Sequence, residues 1–173
     1  MNLGLLILRL VLGLLLLGHG SQKLFGAFGG PGISSAGKFF DSIGFRPGRA
    51  MAVIAGISEL SAGVLLILGL LTPIASAAAV GTLIVAGSVH WVAGLWAQKG
   101  GYELALFYGT SAAALAFTGP GKFSLDNAIG LDSFSGNLWG ILTVAVGLLP
   151  GFLVIARRNL AISHQVTPEL SEQ

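Results

Sequence analysis

His19 and Lys23 stand four residues apart in "GHGSQKLFG", at the end of an unbroken apolar run. At about 100° per residue, Arg9, His19 and Lys23 fall within roughly 80° of one another on a helix, so a single face carries all three. Three cationic or protonatable groups on one face need carboxylates elsewhere. Glu59, flanked by Gly56 and Gly63 at close-approach positions, and Glu103, beside Tyr102, are the candidates. His90 follows a stripe of small residues, Ala75, Ala79, Thr82 and Ala86, that shares its helical face. The chemistry open to such a set is hydrogen bonding to a polar ligand and proton transfer. His19, Lys23, His90 and Glu103 form an expected inner pocket, with Glu59 as a second acid. Arg9 and Glu59 are expected to form a structural buried ion pair that fixes helix register. Bland readings stand beside these. Lys23 is suited to snorkel to headgroups, and His90, next to Trp91 and near Trp96, suits an aromatic belt. No HxxxH or HxxE spacing occurs, so no metal site is expected.

The surrounding composition explains why these residues are informative. The chain is 54% hydrophobic and 9% charged, with a mean hydropathy of +0.86. So much apolar side chain exceeds what a soluble core of this size hides, and an integral membrane protein follows. A span needs about 20 apolar residues. Five stretches qualify, roughly 3 to 24, 50 to 70, 73 to 97, 102 to 118 and 138 to 156. Ionisable groups inside them cost about 2.5 to 3.5 kcal/mol each on insertion scales, so they should face one another and not lipid. The 27 glycines suit helices that approach closely. The first run lacks a basic leader and a small-x-small cleavage site, and is expected to be a retained helix.

Cysteine is absent, which removes disulfides and any thiol chemistry of the chain's own. With five spans, Lys23, Lys38, Arg46, Arg49, Lys99, Arg157 and Arg158 collect on one side and Lys122 on the other. The positive-inside rule then puts the N-terminus outside and the C-terminus in the cytoplasm. The sequence pI near 9.3 reflects this orientation and attraction to anionic lipid, not nucleic-acid binding. "LLTP" and "QKGG" read as tight turns that make the second, third and fourth spans antiparallel neighbours. Phe39, Phe40, Ile43 and Phe45, among Lys38, Asp41 and Arg46, suggest a short amphipathic segment on the inner surface.

The ordered segments "RLVLGLLLLGHGSQKLFG", "ELSAGVLLILGLLTP", "VHWVAGLWAQKGGYELAL" and "GPGKFSLDNAIG" together resemble the DoxX family of bacterial membrane proteins, from about Leu3 to Asp126. By that resemblance Arg9, His19, Lys23, Glu59, His90, Glu103 and Asp126 occupy the family's polar positions, Asp126 in an outer-loop motif. The resemblance implies a four-helix bundle. The expected fold is therefore an all-α polytopic membrane bundle: a DoxX-like domain over 1–126, an outer loop and fifth transmembrane helix over 127–156, and a polar cytoplasmic tail over 157–173. It also implies a bacterial inner-membrane subunit of an oxidoreductase complex. The related DoxD branch resembles the membrane subunit of a thiosulfate:quinone oxidoreductase, so quinone is the candidate cofactor. Partners implied are the bilayer, soluble or membrane redox proteins, and further copies of the chain. A non-catalytic anchor or assembly factor is the alternative, followed by a small transporter.

Overall fold

A computed structural model describes the backbone of residues 1–171 and the side chains of residues 1–163. The polar tail expected over 157–173 thus runs past the residues whose side chains are described. Seven α-helices occur among the described residues: α1 (Asn2–Phe25), α2 (Gly32–Ser42), α3 (Gly48–Leu68), α4 (Thr72–His90), α5 (Glu103–Thr118), α6 (Leu125–Ala128) and α7 (Asn137–Ser171). Four stretches, Asn2–Phe25, Gly48–Leu68, Thr72–Ala93 and Asn137–Ser163, are long and apolar enough to cross a membrane. The short α5 has 16 residues, which at 1.5 Å each is about 24 Å.

Hydrogen bonds show which ends meet. The Lys122 amide donates to Asn2 Oδ1 at 3.1 Å and the Asp126 amide to the Gly69 carbonyl at 2.9 Å. The start of α1, the α3–α4 turn and the link after α5 therefore share one end. At the opposite end the Tyr102 amide donates to the Gly94 carbonyl at 3.1 Å, and Arg158 Nε donates to the Ile43 carbonyl at 2.8 Å. Helices α1, α3, α4, α5 and α7 consequently alternate in direction. The end that holds Lys23, Arg46 and Arg158 is called the basic end below.

Alanines share the interior with Leu12, Leu16, Leu66 and Leu115, while many large apolar side chains face outward. Ala52, Ala62, Ala75, Ala79 and Ala112 are fully buried, while Leu14, Ile141, Leu149 and Leu153 are exposed. Outward leucines are at no disadvantage, because lipid offers leucine no worse a home than the bundle does. Glycines set the helix register. A Cβ on Gly13 would lie 2.8 Å from the Gly63 carbonyl oxygen, and one on Gly20 would lie 2.7 Å from that of Gly56. On the other side a Cβ on Gly81 would lie 2.7 Å from the Gly147 carbonyl oxygen, which fastens α7 to α4.

Two features differ from the hydropathy reading. The third span was expected to run to residue 97, but α4 ends at His90, and residues 91 to 102 form a compact connection with two single 3-10 turns. Gly94 (φ 78°) and Gly100 (φ 79°) turn the chain there, which an α-helix cannot follow. In the first loop the amphipathic segment takes the form of α2, whose Ala36 and Gly37 pack on α3 while Lys38 and Phe39 stay exposed. α7 continues past the expected boundary at 156 without a break.

Candidate functional site

Antiparallel register decides which charges meet. With Gly13 opposite Gly63 and Gly20 opposite Gly56, Arg9 lies across from Ile67 on α3, eight residues or about 12 Å from Glu59. Side chains lean toward the N-terminus of their own helix. Lys23 therefore leans toward the bundle centre and Glu59 leans toward the basic end, and they converge. Lys23 Nζ donates to Glu59 Oε1 at 2.8 Å and to Oε2 at 2.7 Å. Arg9 leans the other way. The expected Arg9–Glu59 ion pair is not formed; Lys23 takes Glu59, and Arg9 is held elsewhere.

Arg9 is part of a knot at the end opposite the basic one. Its guanidinium donates to the Leu66 carbonyl at 3.4 Å and to the Phe123 carbonyl. Asp126 accepts from the Leu71 amide at 2.7 Å and from the Thr72 amide at 2.9 Å, so its carboxylate caps the N-terminus of α4 from a distant loop. Arg9 is fully buried and Asp126 is 1% exposed, and the two charges attract across the knot. A Cβ on Gly69, whose φ is +61°, would collide with Arg9 Nη1. Gly69 ends α3 in the left-handed conformation and leaves room for the arginine.

The Lys23–Glu59 pair borders a chamber of about 740 Å³ between α1, α3, α4, α5 and α7, open to the outside where its wall residues Ile54 and Val146 are exposed. Leu16, Ile54, Ala78, Thr82, Ala86 and Val146 supply walls of apolar and small groups. His19 and Tyr108 face each other there with ring centroids 6.5 Å apart, and His19 stands within electrostatic reach of Glu59. The Lys23 side chain is 24% exposed and that of Glu59 is 5% exposed, so the pair is reached from the chamber through its lysine.

The other expected members divide. His90 lines the chamber at the basic end, where its Nδ1 hydrogen-bonds the Gly100 carbonyl at 2.8 Å. Glu103 does not line the chamber. Its Oε2 accepts from the Ala97 amide at 2.8 Å and closes the 91–102 connection, helped by the Trp91–Tyr102 stack at 4.9 Å. Glu59 is thus the acidic partner of His19 and Lys23, in place of Glu103. Tyr108 was not singled out by sequence reasoning. A phenol midway along the apolar α5 was the available signal.

A family model described as DoxX matches residues 4–92, and one described as TQO small subunit DoxD matches residues 49–152. The chain belongs to the DoxX/DoxD families. The DoxX match covers α1, α3 and α4 with Arg9, His19, Lys23, Glu59 and His90, and the DoxD match carries the likeness through α5 and into α7. This DoxX/DoxD protein is a multi-pass membrane protein whose spans contact lipid. No curated protein and no solved structure matches the chain.

Proposed function

We propose that this DoxX/DoxD protein is the membrane subunit of a quinone-linked oxidoreductase complex in a bacterial inner membrane. The observation that carries the reading is the chamber, an apolar cavity with one cluster of proton-bearing side chains, Lys23, Glu59, His19 and Tyr108, on its wall. A quinone has an apolar ring and tail and two carbonyl acceptors. The chamber matches both requirements. Lys23 and protonated His19 can donate to a carbonyl, and Glu59 can accept the proton that a quinol releases. With no cysteine in the chain, no thiol of its own can supply electrons, and this reading assigns that role to a partner subunit. The DoxD description names a small subunit, which supports a complex with other proteins.

The basic-residue asymmetry supports an N-terminus outside and a cytoplasmic basic end. In that orientation the chamber's His90 rim faces the cytoplasm. A second reading, a non-catalytic anchor or assembly factor, draws support from one feature: Lys23 binds both oxygens of Glu59, so the pair is satisfied without a ligand. Native mass spectrometry of gently extracted protein separates the two. Co-purified quinone that is lost in Lys23→Met and His19→Ala variants of normal folded yield fits the first. Protein partners without quinone, in wild type and variants alike, fit the second.

A further inference from the structure

Ser58 on α3 and Thr82 on α4 line the chamber, and among the described residues neither side chain has a hydrogen-bond partner. Hydroxyls on α5 behave differently. Thr110 donates to the Leu106 carbonyl at 2.9 Å, Ser111 to that of Phe107 at 2.8 Å and Thr118 to that of Ala114 at 3.0 Å. Turning back onto the preceding helical turn is how a helical serine or threonine avoids an unpaired hydroxyl where water is scarce. Ser58 and Thr82 leave that bond unmade on the chamber wall.

Helix register puts the two hydroxyls at one depth. Ser58 lies ten residues before Leu68, the last of α3, and Thr82 ten residues after Thr72, the first of α4, so each stands about 15 Å from the turn that joins them. His19 is at that level because Gly20 meets Gly56, and Tyr108 because a Cβ on Gly109 would lie 3.6 Å from Leu83 Cβ. In the bundle α1 packs on α3, α3 on α4, α4 on α5 and α5 on α1. His19 and Tyr108 stand at the α1–α5 seam of this ring, and Ser58 and Thr82 at the α3–α4 seam, which is the opposite one. The chamber therefore offers hydrogen-bonding groups from two sides at one depth, and a para-quinone carries one carbonyl at each end of its ring. On the basis of the quinone proposed for this chamber, we infer that Ser58 and Thr82 bind its second carbonyl while Lys23 and His19 hold the first. A hydroxyl both donates and accepts, so the same two residues suit the quinone carbonyl and the quinol hydroxyl that replaces it. A ligand with a single polar head, such as a fatty acid or an isoprenoid alcohol, would leave the α3–α4 seam unpaired.

The test uses the full-length protein in nanodiscs loaded with a short-chain ubiquinone, labelled with carbon-13 at one ring carbonyl or at the other and read by infrared spectroscopy. Both carbonyl stretches should lie below those of the free quinone in lipid. Ser58→Ala combined with Thr82→Val should return one of them to the free position and leave the other, held by Lys23 and His19, where it is. Ser58→Ala or Thr82→Val alone should weaken retention about fivefold, whereas Thr82→Ser, which keeps the hydroxyl, should match wild type. Quinone retained by wild type with only one carbonyl lowered, or with both still lowered in the double variant, would overturn the second contact and leave the proposed function standing. No quinone retained by wild type would overturn both.

Discussion

Arg9 and Lys23 lie on one face of the same helix, 14 residues apart, yet their charges are satisfied in opposite ways. Arg9 hydrogen-bonds carbonyl groups of α3 and of the α5–α7 link, and Asp126 bonds amides of the next helix start. Lys23 bonds only another side chain, at the edge of a large cavity. Backbone partners cannot rotate away, so the knot locks helix ends together. A side-chain partner can exchange one hydrogen bond for a ligand's. A basic side chain thus serves the fold at one end of α1, and another remains available for chemistry at the other.

Removing each charge in turn separates the knot from the chamber. Arg9→Ala or Asp126→Ala leaves a buried charge without its partner and should cost about 3 to 5 kcal/mol, read as a large fall in thermal stability or folded yield. Lys23→Met, at a side chain that is 24% exposed, should cost distinctly less. Equal losses would erase the distinction between knot and chamber.

Next in size is the register that keeps the two regions apart. Gly13→Val would press its side chain on the Gly63 carbonyl and should cost about 1 to 3 kcal/mol by prying α1 from α3. It should also lengthen the Lys23–Glu59 contact, so quinone retention and stability should fall together. Stability unchanged in this variant would mean that the glycine contact does not set register.

Coupling energies give a smaller but more specific signal. A double-mutant cycle on Lys23→Met and Glu59→Gln should show coupling of about 0.5 to 3 kcal/mol, whereas Arg9→Ala with Glu59→Gln should be additive within about 0.5 kcal/mol. The reverse pattern would restore the Arg9–Glu59 pair.

Much of this contrast could be read from residues alone, and the unread part has a common cause. Apolar runs marked α1, α3 and α5 within a few residues and the starts of α4 and α7 as closely, since hydropathy is a local property, but not the ends of α4 and α7. The end of α4 was misplaced because Trp91, Val92, Leu95 and Trp96 are as apolar as a helix, while two glycines at positive φ turn the chain. The face shared by Arg9, His19 and Lys23 was legible from helical period, but their partners depend on antiparallel register and side-chain lean. Those are set by the Gly13–Gly63 and Gly20–Gly56 approaches between helices. Asp126 entered only through resemblance, because nothing local indicates that a loop carboxylate caps a helix start 54 residues earlier. Orientation produces no energetic signal, and it is checked by labelling: a cysteine at Ser35 should react from the cytoplasm and one at Ser133 from outside. Reaction of both from one face would exclude the five-span arrangement.

The proposed quinone occupies the Lys23–Glu59 chamber. A photoreactive quinone analogue irradiated with the protein in nanodiscs, followed by peptide mapping, tests it most directly. Adducts should fall on chamber residues of α1 and α5 near His19 and Tyr108, and Lys23→Met should reduce them at least about tenfold, a change of roughly 1.4 kcal/mol in binding. Adducts spread over lipid-facing residues such as Phe152 and Leu153, with the same yield in Lys23→Met, would contradict it.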